Sequence, residues 1–160
     1  MSFARLTTEF LSSKYFAVAG ASVNRTKFGN KVLRWYIAHN RPVSPINRMT
    51  ASRPSPVSHP PTSLAVQRET TIEGLPVLSS LTELPFPTET AVSVITPPDA
   101  TLGVLKEAHQ VRVPYVWLQP GAQSEEALTY AREVGLKIIF GGPCILADGD
   151  KVLEHLAGKL

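Results

Sequence analysis

The sequence predicts an α/β fold, a three-layer domain with a mostly parallel sheet of five or six strands. Three observations carry that prediction. Short apolar runs recur at Tyr15–Ala19, Ala91–Thr96, Pro114–Leu118 and Leu136–Phe140. Each is too short for a core helix and right for a buried strand. Amphipathic segments with recognisable stops lie between them, and such alternation favours parallel strands covered on both faces.

The elements follow in order. Phe3, Leu6, Phe10 and Leu11 recur at near-helical spacing and predict a short N-terminal helix against the sheet. The first strand, Tyr15–Ala19, ends at Gly20. A helix is expected from about Phe28 to His39, with Phe28, Val32, Leu33, Tyr36 and Ile37 on its apolar face. Asn40 and Pro42 stop it. Pro42–Ile46 is the second strand; Pro42 suits its first residue and Pro45 the point where it leaves the ladder.

Ile72–Ser79 reads as a turn and a short edge strand. Ser79 or Ser80 caps a short helix at Leu81–Leu84, which Pro85 and Pro87 end. After the Ala91 strand, Pro97-Pro98-Asp99 opens a helix bearing Leu102, Leu105, Ala108 and His109 along one side. Ser124 is the expected N-cap of the next helix and Gly135 its stop. Asp148 and Asp150 read as a surface turn, followed by a short helix at Lys151–Leu156. Numbered by appearance, the strands should lie in the order 3-2-1-4-5, with or without a sixth. Their exits then share one edge, and the ligand cleft falls where the order reverses, between strands one and four.

Residues 1–160 are read as one domain with a Pro/Ser-rich insertion at about 49–71. Pro54, Pro56, Pro60 and Pro61 stand there among Ser, Thr, Arg and His. His59 lies within it, without partners at metal-ligand spacing.

Composition narrows the function classes. Apolar residues make up 43% of 160, which marks a globular chain. A net charge of +3 lacks the clustered basic footprint of a nucleic-acid binder and mildly favours an anionic small molecule. The single cysteine, Cys144, excludes a disulfide framework within the chain and points to a reducing compartment. No apolar run reaches the length of a membrane span. A cytoplasmic location is expected over a mitochondrial one, since the first core strand follows the short N-terminal stretch at once.

The chemistry centres on residues 20–31. Gly20, Ala21 and Ser22 end the first strand, and Gly29 precedes the apolar-periodic helix. Such a strand-turn-helix lets backbone approach a ligand and offers unpaired N–H groups to a phosphate. The alternative is a glycine kept only for packing. Arg25, Lys27, Lys31 and Arg48 are candidate phosphate partners, although Lys31 equally suits a solvated helix face. The spacing G-x-G-x-x-G is absent, and Asn47-Arg48 stands where a ribose-binding acid would end the second strand. Both points weaken an NAD(P)-dependent oxidoreductase. Cys144 follows Gly142-Pro143 at a strand exit, but no histidine neighbours it in sequence, so an inert cysteine lining the cleft is preferred to a nucleophile.

Taken together, Val18–Ser22 with Lys27–Lys31, Pro45–Asn47, Thr96–Pro98, Val116–Gln119 with Gly121, and Gly142–Cys144 resemble the CoA-binding domain family. That family includes small stand-alone bacterial and fungal proteins and the N-terminal domain of the succinyl-CoA ligase alpha subunit. The resemblance covers nearly the whole chain except the insertion. It implies a Rossmann-like fold and coenzyme A or an acyl-CoA as the small-molecule ligand. It places Gly20, Ala21, Ser22, Lys27, Phe28 and Gly29 at the first phosphate turn. Pro45 and Asn47 fall at the adenosine end, and Thr96, Pro97 and Pro98 beside the pantetheine path. Cys144 falls where the ligases have a Gly-Pro-Asn-Cys-like turn, here without its Asn. The phosphohistidine domain of the ligase has no counterpart within these residues, so binding without catalysis is the expected role. The alternatives are an NAD(P)-dependent enzyme with a variant turn and a nucleotide fold serving as an interaction module without ligand.

Overall fold

The computed structural model describes Ser2–Arg48 and Thr70–Gly158. The expected insertion, with His59, lies outside the described residues except for its last two positions. The second of these, Thr71, already begins a strand. The elements are α1 (Phe3–Leu11), β1 (Tyr15–Ala19), α2 (Phe28–Ala38), β2 (Val43–Ile46), β3 (Thr71–Ile72), β4 (Leu75–Pro76), β5 (Thr90–Val94), α3 (Pro98–Gln110), β6 (Tyr115–Leu118), α4 (Glu125–Val134), β7 (Lys137–Ile139) and α5 (Ile145–Ala157). Two short 3-10 turns, Leu81–Glu83 and Pro87–Glu89, precede β5.

Five strands form one parallel sheet in the order β2-β1-β5-β6-β7. The expected third strand is the one departure. Thr71–Pro76 folds into a separate antiparallel hairpin, and only Leu78 adds to the sheet, as a single parallel bridge to Ile46. The place at the edge beside β2 is therefore the expected one, but Gly74 at φ +78° turns the chain back too soon for a full strand. Pro45 lies inside β2, paired with Val18, rather than at its end. Its carbonyl accepts from Leu78 N on the outer side, the side its missing N–H would face, so the β1 ladder loses nothing.

Alternation along the strands separates two cores. Ala17, Ala19, Val92, Val94, Val116 and Leu118 face α3 and α4, which contribute Leu105, Ala108, Ala127 and Ala131. Phe16, Val18, Trp117 and Ile139 face α1, α2 and α5, which contribute Phe10, Leu33, Tyr36 and Ile145. Ser124 caps α4 by accepting from Ala127 N, and Gly135 closes it in the left-handed region at φ +73°.

The C-terminal helix is longer than its sequence suggests. Asp148-Gly149-Asp150 is not a turn but lies within α5. Asp148 accepts from Cys144 N and so caps the helix from inside. Asp150 accepts from Trp35 Nε1 at 3.0 Å and pairs with His39 Nε2 at 2.8 Å. Gly149 is small because the Trp35 ring lies where its Cβ would be, 2.5 Å away. A glycine between two aspartates thus marks a helix crossing here.

Tyr36 is fully buried, and its hydroxyl shares a 2.7 Å hydrogen bond with Ser93 Oγ of β5. Burial pushes the phenol well above its ordinary value of 10.0, and the bond to Ser93 only partly opposes this. The native chain therefore keeps this proton when the unfolded chain loses it. Its contribution to stability is full below pH about 10 and is lost as pH rises beyond it. Urea titrations of Tyr36→Phe should show a flatter decline of stability between about pH 9 and 11 than the wild type. At neutral pH the variant should lose about 1 kcal/mol, because Ser93 is left without its partner.

A close backbone approach joins α2 to the end of β1. A Cβ on Gly29 would stand 2.1 Å from the Gly20 carbonyl oxygen. Gly29→Ala should therefore destabilise the fold by about 1–3 kcal/mol through overpacking. In Gly103, within α3, an added Cβ meets nothing within 4 Å. Gly103→Ala should stabilise by about 0.5–1 kcal/mol through helix propensity. Opposite shifts of the urea midpoint for the two substitutions are the expected result.

Candidate functional site

The cleft opens at the carboxyl edge of the sheet, where the order reverses between β1 and β5. It encloses about 820 Å³. Its floor is the β1 exit, Ala19–Ser22. One wall is the start of α2, Lys27–Gly29. A second is the β2 exit, Ile46–Arg48, with Leu81. The third is Ile95–Pro97 and the inner face of α3.

The turn is held by side chains that reach its carbonyls. Gly20 N and Ala21 N both donate to Ile46 O, at 3.1 and 3.3 Å. Asn47 Nδ2 donates to Ala21 O at 2.6 Å, and Asn30 Nδ2 to Ser22 O at 2.8 Å. Asn24 accepts from both the amide and the hydroxyl of Thr26, which folds the chain back toward α2. None of these bonds uses the Phe28 or Gly29 amide; at the helix start Lys27 is exposed, Phe28 half-buried and Gly29 buried.

At that start Lys27 is the N-cap, and its side chain makes no capping bond. Asn30 N and Lys31 N reach back to Lys27 O. The Phe28 and Gly29 amides have no acceptor within the helix. The macrodipole adds partial positive charge at the same place. Pro97 likewise caps α3 without a side-chain bond, and α3 starts on the same cleft. Asp99 sits in its first turn.

The sequence candidates divide by position. Gly20, Ala21, Ser22, Lys27, Phe28, Gly29, Asn47, Arg48, Thr96 and Pro97 line the cleft together. Arg25, Pro45, Pro98, Gly121 and Cys144 are not among its lining residues. Arg25 instead pairs with Glu73 at 3.2 Å. Pro98 is the first residue of α3, behind Pro97. Cys144 is the half-buried N-cap of α5, beyond β7, which puts it two strands away from the reversal point. The expectation that Cys144 lines this cleft is thereby corrected.

Gly20 and Gly29 also prove to be packing glycines. A Cβ at Gly20 would meet the Ile95 carbonyl carbon at 2.9 Å, and Gly20 holds φ +92°. The space above Gly29 is taken by Gly20 O. The packing reading of the turn therefore holds, and the same close packing sets the start of α2 beside the cleft.

Sequence reading missed the inner face of α3. Asp99, Gly103 and Glu107 line the cleft at a four-residue spacing, with Ala100 and Val104 beside them. That stripe is visible in the sequence, but the apolar stripe through Leu105 and Ala108 is stronger and marks the core face.

These residues suit a phosphorylated nucleotide: unpaired helix amides, a lysine beside them and an asparagine-arginine exit on the neighbouring strand. A family model described as a CoA binding domain matches residues 14–150. The chain belongs to the CoA-binding domain family. Among solved structures, a conserved hypothetical protein from Pyrococcus furiosus is 29% identical over 84% of this chain and 98% of that one, with a TM-score of 0.68. A Thermus thermophilus protein, cell-free ID.343, is 22% identical over 95% and 99%, with a TM-score of 0.74. The acetyl-coenzyme A synthetase 1 of Ca. Korarchaeum cryptofilum, in complex with phosphate and ADP, is 22% identical with a TM-score of 0.58. That match covers 81% of this chain and 25% of the synthetase chain. These last two likenesses show the fold. Among curated proteins, none matches. No described helix of this CoA-binding domain is long and apolar enough to cross a membrane.

Asn30 is the buried hinge of the turn. Besides Ser22 O, it donates to Glu73 Oε1 at 3.1 Å and accepts from Arg34 Nε at 2.7 Å. Asn30→Ala should cost about 1–3 kcal/mol, because the Ser22 carbonyl and the Arg34 guanidinium lose a partner. Faster amide exchange at residues 22–29 than elsewhere in the variant is the expected accompaniment, read by hydrogen-deuterium exchange.

Proposed function

We propose that this chain binds coenzyme A or an acyl-CoA in the cleft, as a small binding protein without turnover of its own. The observation that carries this is the uncapped start of α2, where the Phe28 and Gly29 amides and Lys27 converge on one wall. The family match supports CoA over other phosphorylated nucleotides. The phosphates would be held at Ser22 and Lys27–Gly29, and the adenosine end at Asn47 and Arg48. The pantetheine arm would leave past Thr96 and Pro97. When bound, CoA brings a thiol able to carry an acyl group.

Binding without catalysis is favoured by the position of Cys144, which stands outside the cleft wall. We read the chain as one binding domain, acting in a reducing compartment such as the cytoplasm, in keeping with its single cysteine. Neither a nucleic-acid nor a membrane partner is part of this reading.

Substitution at Gly20 or Gly29 would disturb packing before it disturbed a ligand, so Lys27 carries the test. Calorimetric titration should give saturable CoA binding, with NAD weaker. Lys27→Ala should weaken CoA by roughly 10- to 100-fold, the worth of one charged hydrogen bond, with an unchanged melting temperature. Saturable NAD binding without CoA binding would move the assignment to an NAD(P)-dependent oxidoreductase. Binding of neither would leave an interaction module.

A further inference from the structure

Glu107 stands on the cleft side of α3, and both of its carboxylate oxygens are engaged. Oε1 receives the Arg48 guanidinium, and Oε2 accepts the Leu81 amide at 3.2 Å. The Glu107 side chain is 16% exposed and that of Arg48 is 63% exposed. The anion is thus fixed in the wall, and the cation is the member able to swing.

In a doubly wound sheet, a nucleotide with its phosphates at the first βα turn sends its adenosine ribose toward the exit of the neighbouring strand. An acid there holds a plain ribose diol, and an arginine accommodates a ribose phosphate. Here the exit carries Asn47 and Arg48, and the acid arrives instead from α3. A ribose phosphate and Glu107 therefore both require the same guanidinium. Its planar fork can serve either anion well, but two anions crowded on it repel each other.

We propose that Glu107 is an internal competitor for the ribose phosphate: a 3′-phosphorylated adenosine, as in CoA, enters by taking Arg48 from Glu107. This rests on the CoA reading above and adds a regulation of the same site. Glu107 keeps Arg48 ordered when no ligand is bound and loosens the ligand that the turn at α2 holds. Removing its charge should then tighten phosphorylated ligands selectively.

CoA and dephospho-CoA differ only in the 3′-phosphate, so the ratio of their affinities isolates this contact. Calorimetry on Glu107→Gln, whose amide oxygen still accepts from Leu81 N, should show the ratio in favour of CoA rising roughly three- to tenfold. In Arg48→Gln, an exposed replacement, Glu107 faces the phosphate alone and dephospho-CoA should bind tighter than CoA. A ratio that is unchanged or lower in Glu107→Gln overturns the inference while the CoA reading stands. Should that variant fail to fold, Arg48→Gln decides alone, and CoA still binding at least as tightly as dephospho-CoA overturns it. A wild-type chain that binds neither ligand sinks both the CoA reading and this inference.

Discussion

The approach of α2 to the end of β1 is the contact on which the site depends. Gly20 O lies where the Cβ of any other residue at position 29 would be. Gly20 itself is held at φ +92° against the Ile95 carbonyl, so β1, β5 and α2 meet with no side chain between them. The turn is then short of room for anything but backbone. Its carbonyls are drawn inward by Asn30 and Asn47, and its amides at Phe28 and Gly29 are what remain for a ligand. The packing that the glycine-to-backbone contact requires and the placement of the helix start are one arrangement here. The close approach that stabilises the helix against the sheet also puts an uncapped helix start at the reversal of strand order.

A second contact of the same kind governs the far side. Trp35 fills the place of a Cβ at Gly149, and its indole N–H donates to Asp150 one residue on. His39 stacks on that indole with ring centroids 4.2 Å apart and pairs with the same carboxylate. α2 is therefore clamped at its C-terminal end by α5 and at its N-terminal end by the Gly20 turn. A helix fixed at both ends holds its first amides still, which favours binding by pre-organisation.

The sheet was legible in the sequence because its strands are buried on both faces and carry continuous apolar runs. The reversal point between β1 and β5 followed from that. What escaped has physical causes. Asp148-Gly149-Asp150 looks like a turn, because nothing local shows that Trp35, far away in sequence, requires the glycine. The edge strand at Ile72 looks long enough to pair, yet Gly74 turns it into a hairpin and leaves only Leu78 on the sheet. On the site, the strand exits were readable because Gly20, Asn47 and Thr96-Pro97 break the apolar runs of β1, β2 and β5. Glu107 was not, since a glutamate on a helix face has no local mark of what it points at. Cys144 was misplaced because all strand exits share one edge, whereas a cleft occupies only part of it.

Few of the cations near the cleft are free of an anionic or carbonyl partner. Arg25 is committed to Glu73, and Arg34 to Asn30 and the Arg25 carbonyl. Arg48 is committed to Glu107. Among the described residues, two cations line the cleft, and of these Lys27 has no ion pair with another described residue. A net charge of +3 therefore says little about the field a ligand meets. That field comes from the helix start, whose partial charges are fixed in direction and cost no side-chain entropy to order. Lysine beside such a start adds a mobile point charge to a rigid dipole. The combination suits a ligand whose phosphates are held firmly at one point between its two ends.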